Sequence, residues 1–379
     1  MKFVLFYHSL VSDWNHGNAH FLRGIVAELI ARRHRVEVYE PADGWSRRHL
    51  VAAHGQGAIS AFQRRFPLLR SRTYLPGRLD LGVALDDADV VMVHEWNPPE
   101  LVAQIGRERR RRGGFRLLFH DTHHRSATAP EEMQRYALGD YDGVLAFGAA
   151  VRERYLDNGW HDRVFTWHEA ADTRTFRPRP YARHNTQLAW IGNWGDGERA
   201  GELSEFLIDP VHALRLRATV HGVRYPPEAL VALRSAGIDY RGWVPNWRVP
   251  EVLTRAAVTV HVPRRPYAEA LPGIPTIRVF EALACGVPLV SAPWSDREGL
   301  FEPGQDFLMV RSGEQMREAL HEVLHDRAFA AELAASGLRR IRTRHTCGHR
   351  VSELLSIVAA LGQRRTRVAA IAQNEVMHA

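Results

Sequence analysis

Thr276-Ile277-Arg278-Val279-Phe280-Glu281-Ala282-Leu283-Ala284-Cys285-Gly286-Val287-Pro288, running directly into Leu289-Val290-Ser291, carries one acidic side chain in an otherwise apolar, helix-length segment. Gly286 and Pro288 close the segment, since neither continues a helix. A lone carboxylate in a mostly buried helix is costly unless something binds it. Just upstream, Pro272-Gly273-Ile274-Pro275 bars regular structure and leaves Thr276 as an N-cap candidate. A glycine-bearing loop feeding a helix N-terminus presents free N–H groups and a positive dipole end, which suits a diphosphate. Arg278 in the first turn opposes that dipole, and a phosphate oxygen would offset the cost. Glu281, further in, suits two vicinal hydroxyls such as those of a ribose. The plain alternative is a capped helix with an Arg278–Glu281 i,i+3 ion pair. On the residues alone both readings stand.

At 379 residues the chain is too long for one ordinary core, so two domains are expected. Hydrophobic and charged contents of 45% and 25% are those of a globular protein. No apolar run approaches a membrane span. The start, Met1 to His8, reads as a first β-strand rather than a signal peptide. Two cysteines, Cys285 and Cys347, give no disulfide framework, so a reducing cytoplasm is the expected compartment. The formal charge of +7 admits a phosphate-rich ligand or peripheral contact with an anionic inner membrane face. No nucleic-acid-binding motif is present. The arginine run Arg107 to Arg112 precedes Gly113-Gly114 and reads as a solvated helix end.

The first 170 residues alternate strand-like and helix-like segments. Strands are expected at 2–8, 35–39, 89–94, 115–120 and 141–146, helices at 20–32 and 99–112, and an irregular excursion at 43–82. This spacing implies a parallel sheet with helices on both faces. Polar residues cluster after strand ends: His8-Ser9, His94-Glu95-Trp96-Asn97 and His120-Asp121. In open α/β sheets ligands sit at that edge. Residues 173–186, rich in Arg and Pro, read as an interdomain linker, and the alternation then restarts.

Three further places carry candidate chemistry. The loop Gly192-Asn193-Trp194-Gly195-Asp196-Gly197, with Arg199 beyond it, follows a strand and permits backbone approach to phosphate; an ordinary βα turn is its plain alternative. In His120-Asp121-Thr122-His123-His124, His120 suits a sugar hydroxyl and Asp121 a general base, with Glu95 as the runner-up base. A zinc site and a simple capped loop are the competing readings of that stretch. Trp14, Trp96 and Trp194 lie in or beside these loops, placed either to stack on a ligand or to cover core.

The segment Glu281-Ala282-Leu283-Ala284-Cys285-Gly286-Val287-Pro288 resembles the donor-site signature of retaining GT-B glycosyltransferases of the group 1 type. Three other places agree with it: His16-Gly17-Asn18-Ala19-His20 with the helix and strand after it, Ala171-Asp172-Thr173-Arg174-Thr175-Phe176-Arg177-Pro178, and Gly242-Trp243-Val244-Pro245. His168-Glu169-Ala170-Ala171-Asp172-Thr173 is similar to the spore-maturation-protein-like subgroup. The resemblance implies an α/β protein of two Rossmann-like, doubly wound domains facing a cleft: 1–172 on the acceptor side, the linker, 187–349 binding the nucleotide sugar, and 350–379 crossing back as a helix with a tail. It implies transfer of a hexose from a nucleotide-diphosphate sugar, UDP favoured, to an acceptor hydroxyl in bacterial glycan, glycolipid or natural-product synthesis. No cofactor and no metal are called for. The implied donor-side residues are Gly192, Asn193, Trp194, Arg199, Val244, Gly273, Ile274, Thr276, Arg278 and Glu281. Gly17 and Asn18 form the acceptor-side loop, and His120, Asp121 and Glu95 are the catalytic candidates. The chain departs from the family where a second glutamate, eight positions before Glu281, is replaced by Gly273. That departure keeps two rivals in view, a silent GT-B paralogue serving as a binding protein and a nucleotide-sugar epimerase.

Overall fold

The computed structural model describes residues 1–179 and 185–377, with side chains described through 362. Part of the expected linker (180–184) and the last two residues lie outside the described residues. Among the described residues there are two wholly parallel sheets. The first contains β1 (Lys2–Phe6), β2 (Arg35–Pro41), β3 (Ser71–Tyr74), β4 (Val90–His94), β5 (Arg116–Asp121), β6 (Gly143–Ala146) and β7 (Val164–Thr166), in the order β3-β2-β1-β4-β5-β6-β7. The second contains β8 (Thr186–Ile191), β9 (Ala218–His221), β10 (Asp239–Tyr240), β11 (Ala256–His261), β12 (Leu289–Ser291) and β13 (Leu308–Met309), in the order β10-β9-β8-β11-β12-β13. Counted from its own first strand, each sheet begins 3-2-1-4-5-6. Each therefore reverses direction once, between β1 and β4 and between β8 and β11, which opens a crevice at the carboxyl ends of those strands.

The central strands are continuous apolar runs because helices cover both faces. Phe3 to Phe6 and Val90 to Val93 have no exposed surface. Residues 43–82, expected to be irregular, are ordered. They form α2 (Trp45–His54), α3 (Gln56–Arg65) and β3, with a short helix Leu81–Ala84. Leu50, Ile59 and Phe62 anchor them on the core, at the helical spacing that the surrounding arginines mask. The run Arg107–Arg112 is solvated only in part. Arg109 is buried and holds Asp142 through two hydrogen bonds of 3.0 and 3.1 Å.

The two halves are not independent globules. One apolar cluster runs from β1 and α1 (Ala19–Ala31) to Ile277, Val279 and Phe280. The helix Cys347–Met377, which follows the second sheet, packs on α1 of the first. Trp167 donates its indole N–H to the Arg350 carbonyl at 2.8 Å, and Arg32 reaches the Gly348 carbonyl at 2.7 Å.

Gly24 is a point of close approach between α1 and the Cys347–Met377 helix. A Cβ there would lie 2.4 Å from Cys347 Sγ and 2.8 Å from Asp172 Cβ. Gly24→Ala gains up to about 1 kcal/mol of helix propensity. The overpacking costs about 1–3 kcal/mol. The steric term should win, lowering the melting temperature. An unchanged or raised melting temperature would show that the Cys347 helix gives way freely.

Candidate functional site

The carboxyl edges of the two sheets face each other across a cavity of about 550 Å³. Its floor and walls come from residues just past strand ends: His8 after β1, Trp96 after β4, Thr122 and His123 after β5, Gly192 and Asn193 after β8, Val262 and Arg264 after β11. Thr276, Ile277 and Arg278 complete it at the start of the helix Ile277–Ala284.

The second-sheet wall is cationic. Both terminal nitrogens of Arg199 donate to backbone carbonyls, to Val262 at 2.8 Å and to Asn193 at 2.5 Å, and the guanidinium lies 5.2 Å from the Trp190 ring centre. Its Nε is buried and unpartnered. Burial, then repulsion from Arg264, pulls its pKa down to about 10, so it stays charged at neutral pH. A shielded cation bonded only to carbonyls gains strongly from an arriving anion. Arg264 pairs with Glu198 at 3.0 Å.

The first-sheet wall is uncharged but rich in waiting polar atoms. His16 Nε2, both amide atoms of Asn18 and His123 Nδ1 are buried without partners. Burial lowers His8 to about 4 and holds His16 and His123 well below the usual range. Glu169 also lines the cavity, and burial followed by the nearby Glu281 pushes its carboxyl up to about 8 against the pull of Arg278.

Residues 199–356 match the family described as glycosyl transferase-like. No curated protein matches the chain. Among solved structures, sucrose-phosphate synthase from Thermosynechococcus elongatus aligns over 98% of this chain and 100% of its own with TM-score 0.63 and 14% identity. Anabaena HepE, in complex with UDP and glucose, aligns over 95% and 100% with TM-score 0.68 and 13% identity. A glycosyltransferase from Rickettsia africae aligns over 95% and 98% with TM-score 0.66 and 10% identity. This is the GT-B glycosyltransferase fold.

Within the GT-B cleft, Gly17, Asn18, Gly192, Asn193, Arg199, Thr276 and Arg278 line the main cavity. Val244 lines a separate cavity of about 470 Å³ and also a satellite cavity that shares Asn193 and Arg278 with the main one and holds only about 30 Å³. That is room for a water molecule, not for a base. A direct Asn193–Asn15 amide contact helps to shut it.

Glu281 stands behind the wall rather than in it. Its side chain is 1% exposed, and Oε1 accepts from His20 at 3.1 Å and from Asn246 at 2.9 Å while Oε2 accepts from Arg278. His20 Nε2 accepts from the Asp172 N–H at 2.7 Å, so the ring proton sits on Nδ1 and points at Glu281. Burial alone would raise Glu281, but Arg278, His20 and Asn246 together hold it below its usual pKa. The carboxylate expected on a ribose is here a clasp between the two domains. Arg278 recovers its dipole cost from Glu281, the plain alternative, while still facing the cavity.

Other expected positions also move off the cavity. His120 and Asp121 still belong to β5, so their side chains alternate into the two covering layers. His120 packs 4.9 Å from the Trp167 ring with neither nitrogen bonded, and burial lowers it to about 3. Asp121 accepts from Tyr155 at 2.9 Å and from the His123 N–H at 3.1 Å. Glu95 is sealed under Arg125 and Thr122. Gly273 has φ of 98° and gives its N–H to the Ser295 carbonyl, and a Cβ there would meet Glu298. Ile274 is buried in the first domain's core against Gly148. Trp194 packs on Tyr225, and Trp14 on Trp45 and His49, leaving Trp96 as the tryptophan of the three that reaches the cavity. Thr276 takes the extended N-cap conformation but sends its hydroxyl to His261 at 3.0 Å instead of capping. No group of three His, Cys, Asp or Glu among the described residues is arranged to hold a metal.

The cavity residues to which the sequence assigned no individual role include His8, His16, His123, Glu169, Arg264 and Tyr267. Several lie one to three residues beyond a strand end, and counting past the strand rather than to its last polar residue would have found them.

Glu281→Ala strips the shared acceptor from three buried or half-buried donors. Breaking such a pair costs about 3–5 kcal/mol, so the melting temperature of a chain this long should fall by roughly 4–6 °C. A change within the error of calorimetry would show that the clasp does not hold the domains.

Proposed function

We propose that this chain transfers a sugar from a nucleotide-diphosphate sugar to an acceptor hydroxyl, with a UDP-hexose as the favoured donor. The observation that carries this reading is Arg199, a shielded guanidinium bonded only to carbonyls, beside Arg264, Arg278 and the Ile277–Ala284 helix N-terminus in one cleft. Such a corner suits the diphosphate that departs in sugar transfer. The glycosyl transferase-like match over 199–356 and the UDP and glucose held by HepE support the same donor class.

In this reading the bond from the anomeric carbon to the phosphate oxygen breaks as the bond to the acceptor oxygen forms, and the proton of the acceptor hydroxyl passes to the departing diphosphate. The guanidinium groups and helix N–H groups take up the charge that grows on the leaving diphosphate. We assign that counter-charge to the arginines rather than to a metal. The uncharged wall of His16, Asn18 and His123 supplies directional partners for hydroxyls. Seating the base requires the satellite cavity to widen, which means releasing the Asn15–Asn193 contact.

A second reading is a GT-B protein that binds a nucleotide sugar without turning it over. Gly273, with no side chain and its N–H engaged, favours it.

Titration calorimetry with UDP-glucose tests the first step. Arg199→Ala should weaken binding by about 2 kcal/mol, roughly thirtyfold. Equal affinity in the variant would remove Arg199 from the donor site. Donor hydrolysis or transfer should be unaffected by EDTA, and a large loss would give the counter-charge to a metal. Binding with neither hydrolysis nor transfer across an acceptor panel would favour the second reading.

A further inference from the structure

Among the described residues two carboxylates line the main cavity, Asp196 and Glu169. They differ in one respect. Asp196 sits at the exposed mouth and is paired with Arg224 at 3.0 Å. Glu169 is 6% exposed, and among the described residues no hydrogen bond or ion pair engages its carboxyl. A buried carboxyl without a partner is expensive in its charged form.

Glu169 is also rigidly presented. It lies three residues beyond the end of β7. On one side His168 is tied to Glu298 at 2.7 Å, and on the other the Ala171 N–H donates to the His345 carbonyl at 2.9 Å. Its own carbonyl accepts from Arg350 at 3.4 Å. The side chain is thus held at the junction of both domains, on the cleft floor.

The groups that face it come from three directions. The Ile277–Ala284 helix presents Arg278 and Glu281, and the turn at Pro266–Ala270 presents Tyr267. Around the same cavity stand His8, His16 and His123, kept uncharged by burial. Arg278 favours the ionised form of Glu169, but Glu281 already engages Arg278 and opposes it. The balance leaves the carboxyl protonated until about pH 8. A diphosphate arriving beside Arg278 brings negative charge and shifts the balance further toward the protonated form.

Resting on the nucleotide-sugar reading above, we propose that Glu169 is a donor-contacting residue that gives its carboxyl proton in a hydrogen bond to an oxygen of the nucleotide sugar, so that donor capture is linked to proton uptake at this side chain. Affinity should then be full below the Glu169 pKa and decline as pH rises through it.

The test is calorimetry with UDP-glucose at pH 7.0 and 8.5, in two buffers of different ionisation enthalpy. The donor diphosphate has no proton to exchange in this window. Wild type should take up roughly 0.7 of a proton per site at the higher pH and lose roughly fourfold in affinity between the two. Glu169→Gln keeps the shape and a donor N–H. It should bind at pH 7.0 within a few-fold of wild type, with neither the uptake nor the pH slope. Glu95 also titrates near neutrality, which is why the variant rather than the slope alone assigns the proton. Equal uptake in wild type and variant overturns the proposal. So does wild-type binding without uptake, an arm that needs no folded variant. If wild type binds neither UDP-glucose nor GDP-glucose, the nucleotide-sugar reading itself fails and this proposal falls with it.

Discussion

Glu281 is a carboxylate shut off from water, and donors from three separate segments meet on it. His20 comes from the first domain, Asn246 from the turn after β10, and Arg278 from its own helix. None of these groups is well placed without the others. A buried carboxylate needs its donors, and the His20 tautomer is fixed by the Asp172 N–H at the exit from the first domain. The linker entrance, α1 and the donor-side helix are thus registered on one oxygen pair. Asp13 repeats the device nearby, accepting from Arg23 at 2.8 Å, from the Trp243 indole at 3.0 Å and from the Asn246 N–H at 3.0 Å. Apolar packing brings the domains together over a broad area. These two acids specify how they meet, because an apolar surface alone tolerates sliding and a hydrogen-bonded charge does not.

That registration sets what the cleft can be. With both sheets reversing at their centres, the two crevices face one another, and the residues just past each strand end fill the space between. Strand alternation then decides which polar groups are usable. In β5, His120 and Asp121 are still inside the strand and point into helix-covered layers. A residue one or two places later is free of the pleat and reaches the cavity, as Thr122 and His123 do.

This explains how far the sequence could be read. The fold was legible, because apolar runs alternating with amphipathic segments admit few architectures. The sheet edge was legible too, since His94, Glu95, His120 and Asp121 mark where the strands end. The facing of each side chain was not, because a shift of one residue exchanges cavity for core. The role of Glu281 was half legible. Its need for partners followed from its apolar setting, but His20 is 261 residues away and no local pattern links the two. The turn at Gly273 was hidden for a similar reason: its φ of 98° and its N–H bond to Ser295 join segments that no local pattern links. The ordered helices in 43–82 were hidden by their arginines, which leave few apolar residues to mark the helical spacing.

The two walls of the cleft differ in kind, and the difference has a physical origin. On the second-sheet side the charges persist around neutral pH, since even the shielded Arg199 guanidinium, lowered to about 10, stays protonated there. On the first-sheet side the titratable groups are histidines, and burial keeps them neutral. A neutral imidazole or amide in a shielded wall offers directional hydrogen bonds without attracting counter-ions. A fixed cation in the same setting attracts any anion strongly but selects little by shape. The cleft therefore divides recognition between its domains, with charge on one side suited to phosphate and uncharged polar atoms on the other suited to hydroxyls. Glu169 lies where the two walls meet. It is the cavity carboxyl that can change its charge near neutral pH, and so the place where the state of one wall can be felt by the other.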